Sequence, residues 1–503
     1  MTKHISRRGF LKSGAAFGAV SPALTAAPSA GARAAGGRPK NVLLLMADQH
    51  QRQAMGVMGD RVARTPELDS LAKAGVLYNN AYCPDPVCVP SRPSMLTGLD
   101  VHDLKPYGTW PIGCKTLAHY FSQAGYMTAL VGKMHFHDAR THGFDYVLQF
   151  NDWYQYLGPK TRFYAEETFY PDVGEGLPQN EDLWKESGDP WTGVIDRDGR
   201  EGQAVPGCIS ALPEEDHFES FVSRESIRFL RRFGKQQPFV LVSSFLKPHA
   251  PFMPAERFGR MFHPQDMVLP GTWGKVNLET VPEFIRESIR YHSVTPELHD
   301  PDQAKLRIAM YYACLAQMDD NVGKILRVLK ELDLEKDTVI LYTADHGEML
   351  GEHGLWQKFV FYEASAGVPL IFRVPGLTPE SALCKTPVSL VQLLPTLAEL
   401  CNVAIPSELE PRSFTSTLRQ PQITADTKVF VEHALESRAA GYMIRHGKYK
   451  YSHYVNDMPE CYDLETDHGE MSNLALRPEY KEKVQELKRE LFAWHVPEES
   501  LSG

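Results

Sequence analysis

The chain predicts an α/β fold: a large mixed, mostly parallel sheet between helices, followed by a small C-terminal antiparallel sheet with a helix. Three observations carry this. Residues 40–47, 126–131, 238–245 and 337–343 are strand-length apolar runs with little polar alternation, as expected of strands buried on both faces of a parallel sheet. Long helical patterns at about 214–233 and 303–334 precede the last two runs, so strands alternate with helices as a doubly wound fold requires. Finally, shorter runs at 428–432, 442–445 and 448–454 and an amphipathic stretch at 479–494 follow a Pro-containing segment, 406–421, that reads as a linker.

Composition sets the outer limits. At 503 residues, 43% hydrophobic and 23% charged, the chain is long enough for one large domain and a smaller one and is ordinary for a soluble globular protein. Its formal charge is −10; the first 35 residues hold Lys3, Arg7, Arg8, Lys12 and Arg33 and no acid, so the rest carries 48 basic against 63 acidic groups, or −15. That balance argues against nucleic acid or an anionic membrane surface as the main partner. An anionic substrate must be drawn by a local cationic pocket.

The amino-terminal segment Ser6-Arg7-Arg8-Gly9-Phe10-Leu11-Lys12, the alanine-rich stretch behind it and Ala32-Arg33-Ala34 resemble a twin-arginine export signal. Pro22 and Pro28 interrupt the stretch, which is too short for a stable membrane anchor. The expectation is a periplasmic or secreted protein, exported already folded. Eight widely spaced cysteines agree with few or no disulfides, with Cys83 and Cys88 left as a loop bridge or, against zinc-site spacing, a metal pair.

Taken in order, 40–47 delivers Asp48-Gln49-His50. Thr65-Pro66 reads as a helix start with Pro at the first helical position, and Gly75 as its stop. Residues 83–98, CPDPVCVPSRPSMLTG, place Cys88 at a helix start, where free N–H groups favour an anion or thiolate. A helix at 116–123 closes at Gly125, and 126–131 delivers Gly132-Lys133-Met134-His135. Residues 238–245 deliver Lys247-Pro248-His249, and 337–343 deliver Asp345-His346-Gly347. Ligands in such sheets bind beyond the carboxyl ends of the strands, so four polar strand ends converge. Between 145 and 207 the pattern dissolves into an acidic, aromatic insertion with Trp153, Trp184 and Trp191, read as a lid or substrate wall. A strand at 369–374 and a helix at 390–400 complete the larger part.

Asp48, Gln49, Asp345 and His346 offer oxygen ligands and one imidazole. This set suits calcium, magnesium or manganese rather than tetrahedral zinc.

Cys88, Pro90, Ser91, Arg92, Leu96, Thr97 and Gly98 together resemble the signature of type I sulfatases, whose cysteine is oxidised to formylglycine (3-oxoalanine). Lys133-Met134-His135, Lys247-Pro248-His249, the run 343–358 and Tyr462-Asp463-Leu464 extend the resemblance over nearly the whole chain. It implies an alkaline phosphatase-like fold, with 1–35 as signal, 36–410 as the catalytic domain and 411–503 as a C-terminal α+β subdomain. It also implies a calcium site at Asp48, Gln49, Asp345 and His346 with the oxygen made from Cys88. Arg92 and Lys133 would hold the aldehyde hydrate, His135 would assist it, and His249 and Lys358 would face the sulfate and leaving group. The hydrate would displace alcohol at sulfur and then expel sulfate without a second attack there. A formylglycine-generating enzyme and the twin-arginine translocase would be maturation partners.

Two departures matter. Many members carry Asp-Asp and Asp-Asn where this chain has Asp48-Gln49 and Asp345-His346, a pattern resembling the choline-sulfatase and phosphonate monoester hydrolase branch. A phosphonate monoester or phosphodiester carries the same single charge as a sulfate monoester, so the same residues also admit that substrate. A non-catalytic sulfate-binding protein that never converts Cys88 is the alternative from another class.

Overall fold

A computed structural model describes residues 41–136, 140–158, 207, 209–210, 212–294, 296–437 and 439–497, all within one compact unit, Pro39–Gly503. The export-signal reading, Trp184 and Trp191 lie outside the described residues.

Thirteen strands are described: β1 (Asn41–Asp48), β2 (Val76–Tyr82), β3 (Met127–Gly132), β4 (Tyr146–Leu148), β5 (Phe239–Pro248), β6 (Thr338–Ala344), β7 (Gly367–Arg373), β8 (Ala382–Cys384), β9 (Val388–Ser389), β10 (Lys428–His433), β11 (Gly441–His446), β12 (Tyr449–Tyr454) and β13 (Glu460–Asp463). The large sheet has the order β4-β3-β5-β1-β6-β7-β2-β8, with β9 on β2. The pairings β3–β5, β5–β1 and β1–β6 are parallel, with Leu44 of β1 opposite Val242 and Leu341. Strand β7 is antiparallel to both β6 and β2, which makes the sheet mixed.

Alternation along β1 explains why its sequence is apolar throughout. Val42, Leu44 and Met46 enter one core, whereas Leu43, Leu45 and Ala47 enter the other. Helices Pro66–Lys73, Phe218–Phe233 and Pro301–Glu331 cover the second face; Cys88–Thr97, Leu117–Gln123 and Leu393–Cys401 cover the first. Asp300 caps the long helix by accepting from the Asp302 and Gln303 amides, ahead of Pro301. Thr65 and Pro66 start their helix as expected, but the cap is the Asp319 carboxylate, which accepts from the Glu67 and Leu68 amides. No helix among the described residues is long and apolar enough to cross a membrane.

The second sheet is four-stranded and antiparallel, in the order β10-β11-β12-β13, with helix Lys481–Trp494 against it. Its Val429, Val431, Met443 and Tyr454 join the first core of the large sheet. The segment 406–421 is not an open linker: Leu409, Phe414 and Leu418 are buried in that same core. Trp153 also departs from the substrate-wall reading. It is 1% exposed, and its indole N–H donates to the Asp216 carbonyl. Cys83 and Cys88 are both free thiols.

Candidate active site

The parallel strands end on one side of the sheet, and their last residues form the floor of the site. Strand β1 ends at Asp48, and Gln49 turns the chain in a left-handed conformation, φ 63°. Strand β3 ends at Gly132, φ 112°, where a Cβ would stand 1.8 Å from the Ser244 carbonyl oxygen. Only glycine fits there, and it sets Lys133 at the mouth of the strand. Cys88 opens its helix as expected, with Val87 as the capping residue.

Arg92, from that helix, is fully buried and organises the carboxylates. Its Nη2 is 2.7 Å from Asp48 Oδ2, its Nε 2.8 Å from Asp345 Oδ2, and its Nη1 donates to the Lys133 carbonyl at 2.5 Å. Lys133 Nζ approaches the same Asp48 Oδ2 at 2.5 Å. Burial works against both cations. Asp345 and Asp48 nevertheless raise the Arg92 pKa, whereas the Lys133 pKa falls. Burial also opposes the Asp48 charge, but Lys133, Arg92 and Lys358 hold its carboxyl well below the ordinary range.

With their Oδ2 atoms occupied, the two carboxylates turn Oδ1 toward His346. Asp345 Oδ1 accepts from the Gln49 and His346 amides and lies 3.7 Å from His346 Nε2; Asp48 Oδ1 lies 3.9 Å from that nitrogen. His346 Nδ1 donates to the Gly347 carbonyl at 2.9 Å, so in the neutral ring Nε2 carries the lone pair. Burial pushes this imidazole down to about 4, which keeps it neutral. His346 Nε2 and Asp48 Oδ1 are buried without a hydrogen-bond partner. Cys88 Sγ, a carboxylate oxygen of Asp345 and a ring nitrogen of His346 lie within 4.8 Å of one another. Two orphaned lone pairs among hard oxygens fit a divalent cation.

Lys358 and His249 close the other side. Lys358 Nζ donates to Gln49 Oε1 at 2.8 Å and lies 3.0 Å from His249 Nε2. His249 Nδ1 donates to the Ala250 carbonyl, and burial with the charges of Lys358 and Lys133 pushes its pKa well down. Its Nε2 is therefore an acceptor. Cys88 is 6% exposed, and burial raises its thiol pKa despite Lys358 and Lys133. The structure thus brings together Asp48, Gln49, Cys88, Arg92, Lys133, His249, Asp345, His346 and Lys358. His135 stands two residues beyond Lys133 in a left-handed backbone, φ 57°.

Sequence reasoning gave no role to Glu348 or to the pair Asp85 and His433. Buried Glu348 accepts from Gln49 Nε2 and from the Leu350 and Gln357 amides, so it orients a candidate ligand and the loop leading to Lys358. Its position three residues after Asp345 was the available signal. His433 Nδ1 bonds Asp85 Oδ1 at 3.0 Å, a contact across 348 positions that no local pattern announces. Glu352 and His353 have packing roles: Glu352 accepts from Thr272 Oγ1, and His353 stacks on Tyr362 with ring centres 4.0 Å apart. Farther out, buried Lys450 of β12 pairs with Glu363 at 3.0 Å and with Glu470, and Arg52 pairs with Glu363 at 2.6 Å.

The fold is alkaline phosphatase-like. It resembles the phosphonate monoester hydrolase of Agrobacterium radiobacter, with a TM-score of 0.73 and 23% identity over 90% of this chain and 95% of that one. The chain belongs to the sulfatase family, the sulfuric ester hydrolases: the Sulfatase family model matches residues 40–403, and the model for the C-terminal part of N-sulphoglucosamine sulphohydrolase matches 351–496. It is 30% identical to a choline-sulfatase of Rhizobium meliloti over 88% of this chain and 83% of that protein. It is 29% identical to an arylsulfatase of Clostridium perfringens over 90% and 93%.

Proposed function

We propose that the protein hydrolyses a sulfate monoester, R–O–SO3⁻ to R–OH and sulfate, on a carbohydrate or small organic alcohol. The reading uses formylglycine made from Cys88 and a calcium ion, with manganese as the alternative metal. The observation that carries it is the pair of unpartnered atoms, Asp48 Oδ1 and His346 Nε2, beside Cys88 and inside a ring of cations.

Asp48, Gln49, Asp345 and His346, with an oxygen derived from Cys88, would hold the metal, which when bound polarises oxygen and favours its deprotonated form. Formylglycine at Cys88 would supply, as its hydrate, the nucleophilic oxygen for the sulfur. Arg92 fixes the direction of both carboxylates and, with Lys133, offsets negative charge near the Cys88 side chain. Lys358 has three N–H donors; two serve Gln49 and His249, and the third is available to a sulfate oxygen. Because His249 Nε2 is an acceptor, the proton for the departing alcohol comes from the Lys358–His249 pair rather than from neutral His249 alone. His135 would take the hydroxyl proton that releases sulfate.

A second reading has a specific motive. Gln49 replaces a carboxylate with an amide that Lys358 already holds, which leaves the ligand set less negative and admits a phosphonate monoester or phosphodiester. Export by the twin-arginine route, to the periplasm or beyond, belongs to the same proposal, with a formylglycine-generating enzyme acting in maturation.

Two measurements test the proposal. Mass spectrometry of the peptide containing Cys88 should find it about 18 Da lighter than the cysteine form, as replacing SH and one hydrogen by a carbonyl oxygen requires. Turnover of an aryl sulfate and an aryl phosphodiester should then be compared under calcium and under manganese. An unmodified Cys88 in active enzyme would overturn the aldehyde, and faster phosphodiester turnover would favour the second reading.

A further inference from the structure

Resting on the hydrolase reading, one feature beside the site points to what the ester carries. Phe359 follows Lys358 directly, adopts φ 79°, and is 37% exposed. A bulky residue rarely takes this backbone region, and an exposed one gains little from packing there. Its amide donates to the Pro86 carbonyl at 3.2 Å, two residues before Cys88, and Lys358 Nζ stands 5.9 Å from its ring centre. The Phe359 backbone is thereby tied to the segment before Cys88, and its ring lies next to Lys358, the group that would meet sulfate.

The wall continues with His433, the last residue of β10. Its ring centre lies 6.1 Å from that of Phe359, 6.4 Å from Phe361 and 6.4 Å from Phe284. Buried Asp85 accepts from His433 Nδ1 at 3.0 Å and from the Tyr107 hydroxyl at 2.9 Å. His433 is buried, 7% exposed, and with Nδ1 committed to Asp85 its Nε2 is the nitrogen left for a ligand that reaches the ring.

We propose that Phe359 and His433 form the subsite for the alcohol part of the substrate, and that this part is a hydroxyl-bearing ring, a pyranosyl sulfate. The apolar face of the ring lies on Phe359, a ring hydroxyl bonds His433 Nε2, and Asp85 is the positioning residue for His433. A quaternary ammonium on the same face would stand close to the Lys358 ammonium, so choline sulfate is the poorer ligand.

The test is calorimetric binding to the metal-loaded, full-length Cys88→Ala protein, with glucosamine 6-sulfate and choline sulfate as probes. We expect the sugar ester to bind about tenfold more tightly, the difference one well-placed ring contact supports. Adding Phe359→Ala should remove most of that preference, whereas Phe359→Trp, which keeps a flat face, should retain it. Asp85→Asn should weaken the sugar ester and spare choline sulfate. Equal affinities, or equal weakening of both probes by Phe359→Ala, would overturn the subsite. Turnover by the unmutated enzyme answers a separate question: if neither ester releases sulfate the hydrolase reading falls, while the binding comparison still decides the subsite.

Discussion

His346 Nε2 and Asp48 Oδ1 face each other across 3.9 Å, and neither has a hydrogen-bond partner. Leaving two buried polar atoms unsatisfied is costly, and a divalent cation removes the cost. Stripping metal with a chelator should abolish ester hydrolysis and lower the melting temperature by a few degrees. Restoring calcium should reverse both effects, since a ligand at about 100 times its Kd contributes roughly 2.7 kcal/mol. In His346→Ala, calcium should no longer shift the melting curve.

Arg92 offers a stability test independent of activity. It holds Asp48 at 2.7 Å and Asp345 at 2.8 Å in full burial. Removing one partner of such a set costs on the order of 3–5 kcal/mol. Arg92→Ala should lower the unfolding free energy in urea by that amount. Arg92→Lys should recover only part of it, because a single ammonium cannot reproduce the fork.

Glu348 acts on the site through Gln49. Glu348→Gln puts an amide where the Gln49 Nε2 and two backbone N–H groups converge. Such orienting partners of metal ligands typically contribute about 10–100-fold in metal affinity. A loss in that range, read by calcium titration, is expected, with the unfolding transition shifted much less than in Arg92→Ala.

His353 gives a pH signature away from the site. Burial depresses its pKa to about 4, and it stacks on Tyr362. Between the ordinary imidazole value and 4 the unfolded chain binds a proton that the folded one refuses, so stability is full above about pH 6.5 and falls toward pH 4. At about 1.4 kcal/mol per pKa unit, this side chain accounts for roughly 3 kcal/mol of that fall. His353 sits at φ 57°, a region phenylalanine rarely takes, so His353→Phe keeps the stack but gives up a backbone bond to Gly469 and adds backbone strain. It should cost about 1–3 kcal/mol at pH 8 and show a visibly flatter stability profile below pH 6.5.

The strand ends were legible because burial on both faces leaves a run free of charge and the first charged residue marks its end. Asp48, Lys133, Lys247 and Asp345 all follow that rule, with His249 two residues beyond Lys247. Strand β2 was missed because Asn79 and Asn80 interrupt its apolar pattern at the register shift between Tyr78 and Ala81. The direction of β7 was equally hidden, since a lone apolar run does not say which way it pairs. Segment 406–421 misled through its prolines: Leu409, Phe414 and Leu418 are too widely spaced to form a pattern, yet all three are buried. Trp153 shows the same limit, because composition cannot tell an aromatic that faces a ligand from one that fills a core. The Asp85–His433 and Gln49–Glu348 contacts join residues hundreds apart and become visible only once the sheet is folded.

The buried pairs of Lys450 with Glu363 and Glu470 bear on chain synthesis. The bend that carries Lys358 is anchored by side chains translated about a hundred positions later, so the emerging polypeptide holds an unfinished pocket until its last hairpins leave the ribosome and dock. Assembly of the reactive centre is in that sense completed from the tail end of the message.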